Sequence, residues 1–251
     1  MLKTHWYKVD WSLLIPVVCL IIIGVVMIFS TSSIVGFSNF NDSFFFIKRH
    51  LVFLFIGICA FFVGLLVPYN LYKKYAGFLF VLALMLLILT LSPLGVKVGG
   101  ATRWLDLAFF RFQPAEVAKF AVVVLIAISL NRKDHVLNHF VKGGGPLVLI
   151  VVLPIILLIL QPDLGNSGLI LMVFLGLLFL SKFPIRYIIG FLATSIIALI
   201  GIILSHPYQL KRIQSFLDPW ADPLGKNYHM VQSLIAIGSG GITGVGLGES
   251  K

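Results

Sequence analysis

The sequence predicts an all-α fold: a polytopic bundle of transmembrane helices. Three observations carry that expectation. Of 251 residues, 59% are hydrophobic and only 11% are charged, against roughly 25% charged in a soluble domain. The mean hydropathy is +1.06. The apolar residues are gathered into runs long enough to cross a hydrocarbon layer, which takes roughly 20 residues per helix. A soluble globule is excluded because too little polar surface exists to cover it. Disorder is excluded because the chain is apolar rather than polar and self-repelling.

The elements follow in order. Met1 to Asp10 is a short start carrying Lys3 and Lys8, and Trp11–Phe29 is then apolar over a full membrane thickness. That run exceeds the roughly 7–15 apolar residues of a signal peptide and more spans follow it, so it reads as a retained first helix. Spans are expected near 11–31, 47–67, 74–92, 114–130, 146–160, 165–181 and 186–204, with 205–251 opening a large extracytoplasmic loop. The fifth is short, and is expected to tilt or to break near Pro154. No alternating β pattern competes with the helical period.

The connections form two alternating sets. One contains 1–10, Pro68–Lys73, Asn131–Gly145 and Lys182–Ile185; with its span ends it holds nine Lys/Arg, and the other set holds the remaining ten of 19. Charge density favours the shorter, first set as cytoplasmic, which puts the N-terminus in the cytoplasm. The opposite face then carries Lys48, Arg49, Lys97, Arg103, Arg111, Lys211 and Arg212. With a net charge of +10, membrane lipid headgroups or an anionic substrate are the expected partners, and no nucleic acid. Cys19 and Cys59 lie in apolar runs and read as small buried hydrophobes, not as a disulfide or a metal site. His135 and His139 beside Asp134 read as a solvated cytoplasmic loop, because no Glu follows the first His.

Ionisable residues at membrane depth mark candidate sites. Gln113-Pro114-Ala115-Glu116-Val117-Ala118-Lys119 opens the fourth span. Pro114 suits the first helical position and Glu116 the first turn. Lys119 lies deeper, and the i, i+3, i+6 spacing of Gln113, Glu116 and Lys119 puts them on one broad face. Gln161-Pro162-Asp163-Leu164-Gly165 opens the sixth span in the same way. Asp163 there is either a helix cap or a second carboxylate at the same membrane level. In Gly99–Leu107 the glycines permit a tight loop, Trp104 suits the interface, and Arg103 suits either phosphate or solvent. Asp218-Pro219 and Asp222-Pro223, within Tyr208–Gly225, read as turns. The glycine-rich Gly238–Gly248 fails the dinucleotide spacing and reads as a flexible or re-entrant loop.

Taken together, these motifs resemble the SEDS family, the FtsW/RodA peptidoglycan polymerases. The matches are Gly100–Trp104, FQPAEVAK at Phe112–Lys119, QPDLG at Gln161–Gly165, FLDPWADPLGKNYHMVQSLIAIGSGG at Phe216–Gly241 and GVGLGESK at Gly244–Lys251. They run in family order over nearly the whole chain and lean toward the FtsW side. The resemblance implies a ten-span bundle in the bacterial cytoplasmic membrane. It implies a glycosyltransferase that polymerises lipid II and releases undecaprenyl diphosphate in cell division or elongation. A class B penicillin-binding protein transpeptidase as partner and a divalent metal, Mg or Mn, are implied as well. It matches Arg103, Glu116, Lys119 and Asp163 to polar positions of the substrate cavity: Arg103 and Lys119 on the diphosphate, Glu116 paired with Lys119, and Asp163 in support. The family's essential aspartate lies in a segment beyond Lys251, so the catalytic base is unknown and the chain is expected to be a truncated form. Two other classes fit the same features: a flippase for lipid-linked precursors, since depth charges and broken helices suit transport equally, and an inactive scaffold that binds a transpeptidase.

Overall fold

A computed structural model describes residues 10–98, 101–106, 110–131, 144–181, 183–205, 207–225, 227–241 and 244–246. The expectations for Lys3, Lys8, the Gly99-Gly100 turn, Leu107, His135, His139, Lys182 and the closing residues 247–251 fall outside the described residues, as do the side chains of Lys211 and Arg212. The chain divides into two compact units, one of Val67–Ser205 and one of Met1–Leu66 with His206–Lys251.

In the second of these, Asp10 starts helix α1 (Trp11–Phe40) by accepting from the Ser12 backbone N–H at 3.0 Å, a side-chain N-cap. The helix runs nine residues beyond the expected end near 31. The reason is local: Thr31 Oγ1 donates to Met27 O at 2.9 Å, one turn back. The hydroxyls of the Ser30–Ser33 cluster therefore need not leave the helix. Asn41 stops it in the left-handed conformation, φ 55°, and its N–H donates to Phe37 O at 3.0 Å. Gly36 is required at this corner, because a Cβ there would lie 2.8 Å from Asp42 O. Helix α2 (Phe45–Leu66) returns against α1, with the Phe40 and Phe45 rings stacked.

The unit Val67–Ser205 holds the core. Helix α3 (Tyr69–Leu91) packs on α4 (Pro114–Leu130) and α5 (Gly145–Leu160). Helix α4 also meets α6 (Leu164–Leu180), which packs on α7 (Ile185–Ser205). Alanines at 83, 115, 118 and 121 lie in the buried cluster. Small side chains let helix backbones approach closely where lipid supplies no hydrophobic drive. By contrast α7 has no buried residue, and α1 and α2 bury only Gly36 and Ile47. Surfaces this apolar belong in hydrocarbon.

The seven expected spans correspond to α1 to α7. Four of them, α1, α2, α3 and α7, are long and apolar enough to cross a bilayer. The central three are shorter: α4 and α6 have 17 residues and α5 has 16. Pro154 lies inside α5 without ending it.

Residues 93–113, expected as loop, carry a three-stranded antiparallel sheet: β1 (Gly95–Val98), β2 (Ala101–Asp106) and β3 (Arg111–Phe112). Alternation does exist in β2, where Ala101 and Leu105 are buried, but Arg103 occupies the same inward series and masks it. Val96 pairs with Trp104 and Lys97 with Thr102, so the ladder skips Arg103. This is a β-bulge, a device that re-aims a side chain. Gly95 is sterically obligatory, since a Cβ would sit 1.9 Å from Thr90 O at the end of α3.

After α7 come α8 (Pro207–Leu217), a 3-10 turn (Pro219–Ala221) and α9 (Tyr228–Gly240). The turn agrees with the Asp-Pro reading. The glycine-rich segment does not begin as a loop: α9 runs through Gly238 and Gly240. Among the described residues of this segment, positive φ appears at Gly241, Gly244 and Gly246, at 55°, 78° and 110°, where glycine carries no Cβ penalty.

Candidate functional site at one end of the helical core

The end of α3, the sheet, the start of α4 and the α5–α6 turn meet at one end of the core unit. Buried Gln161 fixes the turn: its Nε2 donates to Leu87 O in α3 at 2.9 Å. The same carbonyl accepts from the buried Thr90 hydroxyl at 2.7 Å. Asp163 then caps α6, accepting from Asn166 N at 3.3 Å and from Asn166 Nδ2 at 2.7 Å. Of the two sequence readings, the cap is what this geometry describes, and the capping carboxylate is buried. Ser167 donates to the Asp163 carbonyl at 2.8 Å, closing the first turn.

Arg103 reaches this turn from the bulge of β2. Its Nη2 donates to Pro162 O, and its Nε lies 3.8 Å from Asp163 Oδ2. At that distance the pair is ionic rather than hydrogen-bonded, and the buried Nε has no hydrogen-bond partner among the described residues.

On α4, Pro114 is buried at the helix start. Lys119 donates to Glu116 Oε1 at 2.8 Å. The Glu116 side chain is 60% exposed and that of Lys119 26% exposed, so the pair opens outward from a helix face whose other side is alanine core. The four residues singled out in the sequence thus form two ion pairs, Arg103 with Asp163 and Glu116 with Lys119.

Sequence reasoning missed the working parts of Gln161, Asn166 and Thr90. A usable signal existed for Asn166, which stands three residues after the capping Asp163, where a capping-box partner belongs. No local signal identified Leu87 O as an acceptor. Below Leu164, helices α5, α6 and α7 enclose a groove of about 450 Å³, lined by apolar residues with Ser167, Thr194 and Ser195.

Fold and site together define a multi-pass helical membrane protein with a charged cluster at one end of its core. The family model FTSW_RODA_SPOVE, described as a cell cycle protein, matches residues 10–251, and the chain belongs to that family. It is 37% identical over 243 residues to the probable peptidoglycan glycosyltransferase FtsW of Geobacter sp. (strain M18), covering 96% of this chain and 66% of the relative. It is 35% identical over 243 residues to the stage V sporulation protein E of Bacillus subtilis (strain 168), with the same coverage. Among solved structures, it superimposes on a chain of a peptidoglycan synthase complex with TM-score 0.71 and 29% identity, over 94% of this chain and 67% of that one. The Thermus thermophilus rod shape determining protein RodA gives TM-score 0.56 at 25% identity, over 76% and 60%. The chain therefore spans just under two thirds of the length of the curated relatives named here.

Proposed function

We propose that this chain is the N-terminal part of a peptidoglycan glycosyltransferase that polymerises lipid II and releases undecaprenyl diphosphate. The observation that carries the reading is the outward-opening Glu116–Lys119 pair, at the same end of the core as Arg103 and Asp163. Joining sugars with a diphosphate leaving group needs a base for the acceptor hydroxyl proton and cationic charge where the diphosphate departs. Lys119 and Arg103 are both partly exposed cations, at 26% and 33%, and Glu116 orients Lys119. Arg103 is engaged by Pro162 O and Asp163, so it contributes chiefly as a fixed positive charge at this end of the core. The base is unassigned, and the family resemblance assigns it to a segment outside this chain.

Divalent metal fits the described residues poorly. Among them no three His, Cys, Asp or Glu side chains converge, and Asp163 is already taken up by Asn166 and Arg103. No step is routed through a metal. The reading also places the protein in the bacterial cytoplasmic membrane with its N-terminus in the cytoplasm, beside a class B penicillin-binding protein transpeptidase. The synthase complex among the structural matches supports a peptidoglycan-synthesis partner in general, and the orientation rests on the charge density of the connections.

The test is polymerisation of fluorescent lipid II by the protein that carries this chain, with Lys119→Met and Glu116→Gln. Loss of one transition-state cation is expected to slow polymerisation by about a hundredfold. Melting should barely change, because an exposed pair contributes under about 1 kcal/mol. Full activity in Lys119→Met removes the proposed role of Lys119. Transfer of labelled lipid II between leaflets with no polymer would make the protein a flippase instead.

A further inference from the structure

We propose that the segment from α8 to Leu224 is a membrane-surface element that lies in the headgroup region of an anionic leaflet. By backbone position, Leu210, Ile213, Phe216 and Leu217 of α8 fall within about 120° of arc, with Gln209 the one polar residue among them. Pro207, Tyr208, Lys211, Arg212, Gln214 and Ser215 occupy the rest. The apolar stripe is uncovered: Phe216 is 70% exposed and Leu217 76% exposed. Beyond the helix Trp220 and Leu224 are uncovered too, the latter 88% exposed. Five large apolar side chains, at 213, 216, 217, 220 and 224, thus stand open in a segment outside the spanning helices.

That stripe is held in place. Buried Asn227 donates through Nδ2 to Asp218 O and Pro219 O, at 3.2 Å each, and through its backbone N–H to Asp222 O at 3.3 Å. The clip fixes the turn that carries Trp220 before any partner arrives, so ordering it on a surface costs little further entropy.

The occupant follows from connectivity and charge. A single residue, 206, separates α8 from the end of the membrane-crossing helix α7. Two Cα steps reach at most about 8 Å, so α8 starts at a bilayer exit. Helices with basic residues on one side and Trp, Phe and Leu on the other lie in the interface plane. Lys211 and Arg212 suit anionic headgroups there, and Trp220 suits the interfacial belt. This inference is independent of the polymerase reading, since it holds for a flippase or a scaffold equally.

The experiment places one reporter cysteine in the full chain, on a Cys19→Ala, Cys59→Ala background, and reconstitutes it in phosphatidylcholine–phosphatidylglycerol vesicles. An environment-sensitive fluorophore is attached at Leu217→Cys, at Trp220→Cys, or at Ser215→Cys on the polar arc. Nitroxide on the lipid acyl chains is expected to quench the first two severalfold more than the third, with aqueous iodide showing the reverse order. Pure phosphatidylcholine should reduce the contrast. Equal quenching at all three sites overturns the proposal. So does shielding of positions 217 and 220 from both quenchers, which would mean that a protein covers the stripe. Two independent stripe reporters keep the test decisive if one variant fails to fold.

Discussion

Replacing Asp163 by alanine removes three interactions at once, and their sum can be worked from the geometry. The N-cap of α6 is worth about 1 kcal/mol. The charge-assisted bond from Asn166 Nδ2, 2.7 Å long, adds about 1.5 kcal/mol net. Stranding a buried charge costs roughly 3–5 kcal/mol. Arg103, however, keeps its bond to Pro162 O, stays 33% exposed and sits 3.8 Å away, which reduces that share to about 1 kcal/mol. Asp163→Ala is therefore expected to destabilise by about 3.5 kcal/mol, or roughly 10 °C in melting temperature for a chain of this size. Asp163→Asn keeps the cap and the shape, and should cost about 1 kcal/mol. The decisive measurement is a double-mutant cycle with Arg103→Ala, following thermal unfolding in detergent. The pair should show coupling of about 1 kcal/mol. Additivity within about 0.4 kcal/mol would refute the ion pair as a contact between β2 and the α5–α6 turn. An Asp163→Asn variant as unstable as Asp163→Ala would refute the cap.

Further outcomes can be checked in the same preparations. Gln161→Leu fills similar space but removes a buried donor, and should lower stability by about 1–2 kcal/mol with fraying between α3 and α5, visible as faster amide exchange near Leu87. Gly95→Ala drives a Cβ into the Thr90 carbonyl; we expect loss of the β1–β2 pairing and a melting drop larger than for Gly168→Ala, where nothing lies within 4 Å. In the turn between α1 and α2, Asp42 accepts from Lys48 Nζ at 2.8 Å and from Phe44 N. These bonds, the lysine's first, hold its carboxyl below the usual 3.8. Its contribution is present above pH 3.8 and is lost as pH falls through the lowered folded value. Lys48→Gln should move the Asp42 carboxyl titration upward in carbon NMR, and an unmoved titration would contradict the pairing.

The helices were readable because hydrocarbon imposes one dominant requirement, and runs such as Trp11–Phe29 meet it openly. Their ends were less readable. Ser30–Ser33 looks like an exit from the membrane, yet hydroxyls that bond one turn back leave the helix intact. The sheet was illegible because β1 and β3 have only four and two residues, and because a charged side chain sits in the inward series of β2. Helix α9 was hidden by Gly238 and Gly240, which local propensity assigns to loop and flanking residues carry through. At the site, spacing put Glu116 and Lys119 on one helix face, and the family resemblance implied their pairing. The Arg103–Asp163 contact joins residues far apart in the chain, on either side of α4 and α5, so only the folded arrangement reveals it. The part of Gln161 depends on a backbone carbonyl, which carries no sequence signature.

The skipped residue in β2 makes chain length, and not only residue identity, a determinant of this site. Deleting Thr102 would let the ladder run without interruption, and straightened pleating would swing the Arg103 guanidinium to the opposite face of the strand. A neighbouring side chain could be exchanged with modest effect, whereas a one-codon loss there would disconnect the arginine while leaving every charge in the protein present. Indels in this short stretch should therefore be selected against more severely than substitutions, the reverse of what surface loops normally tolerate.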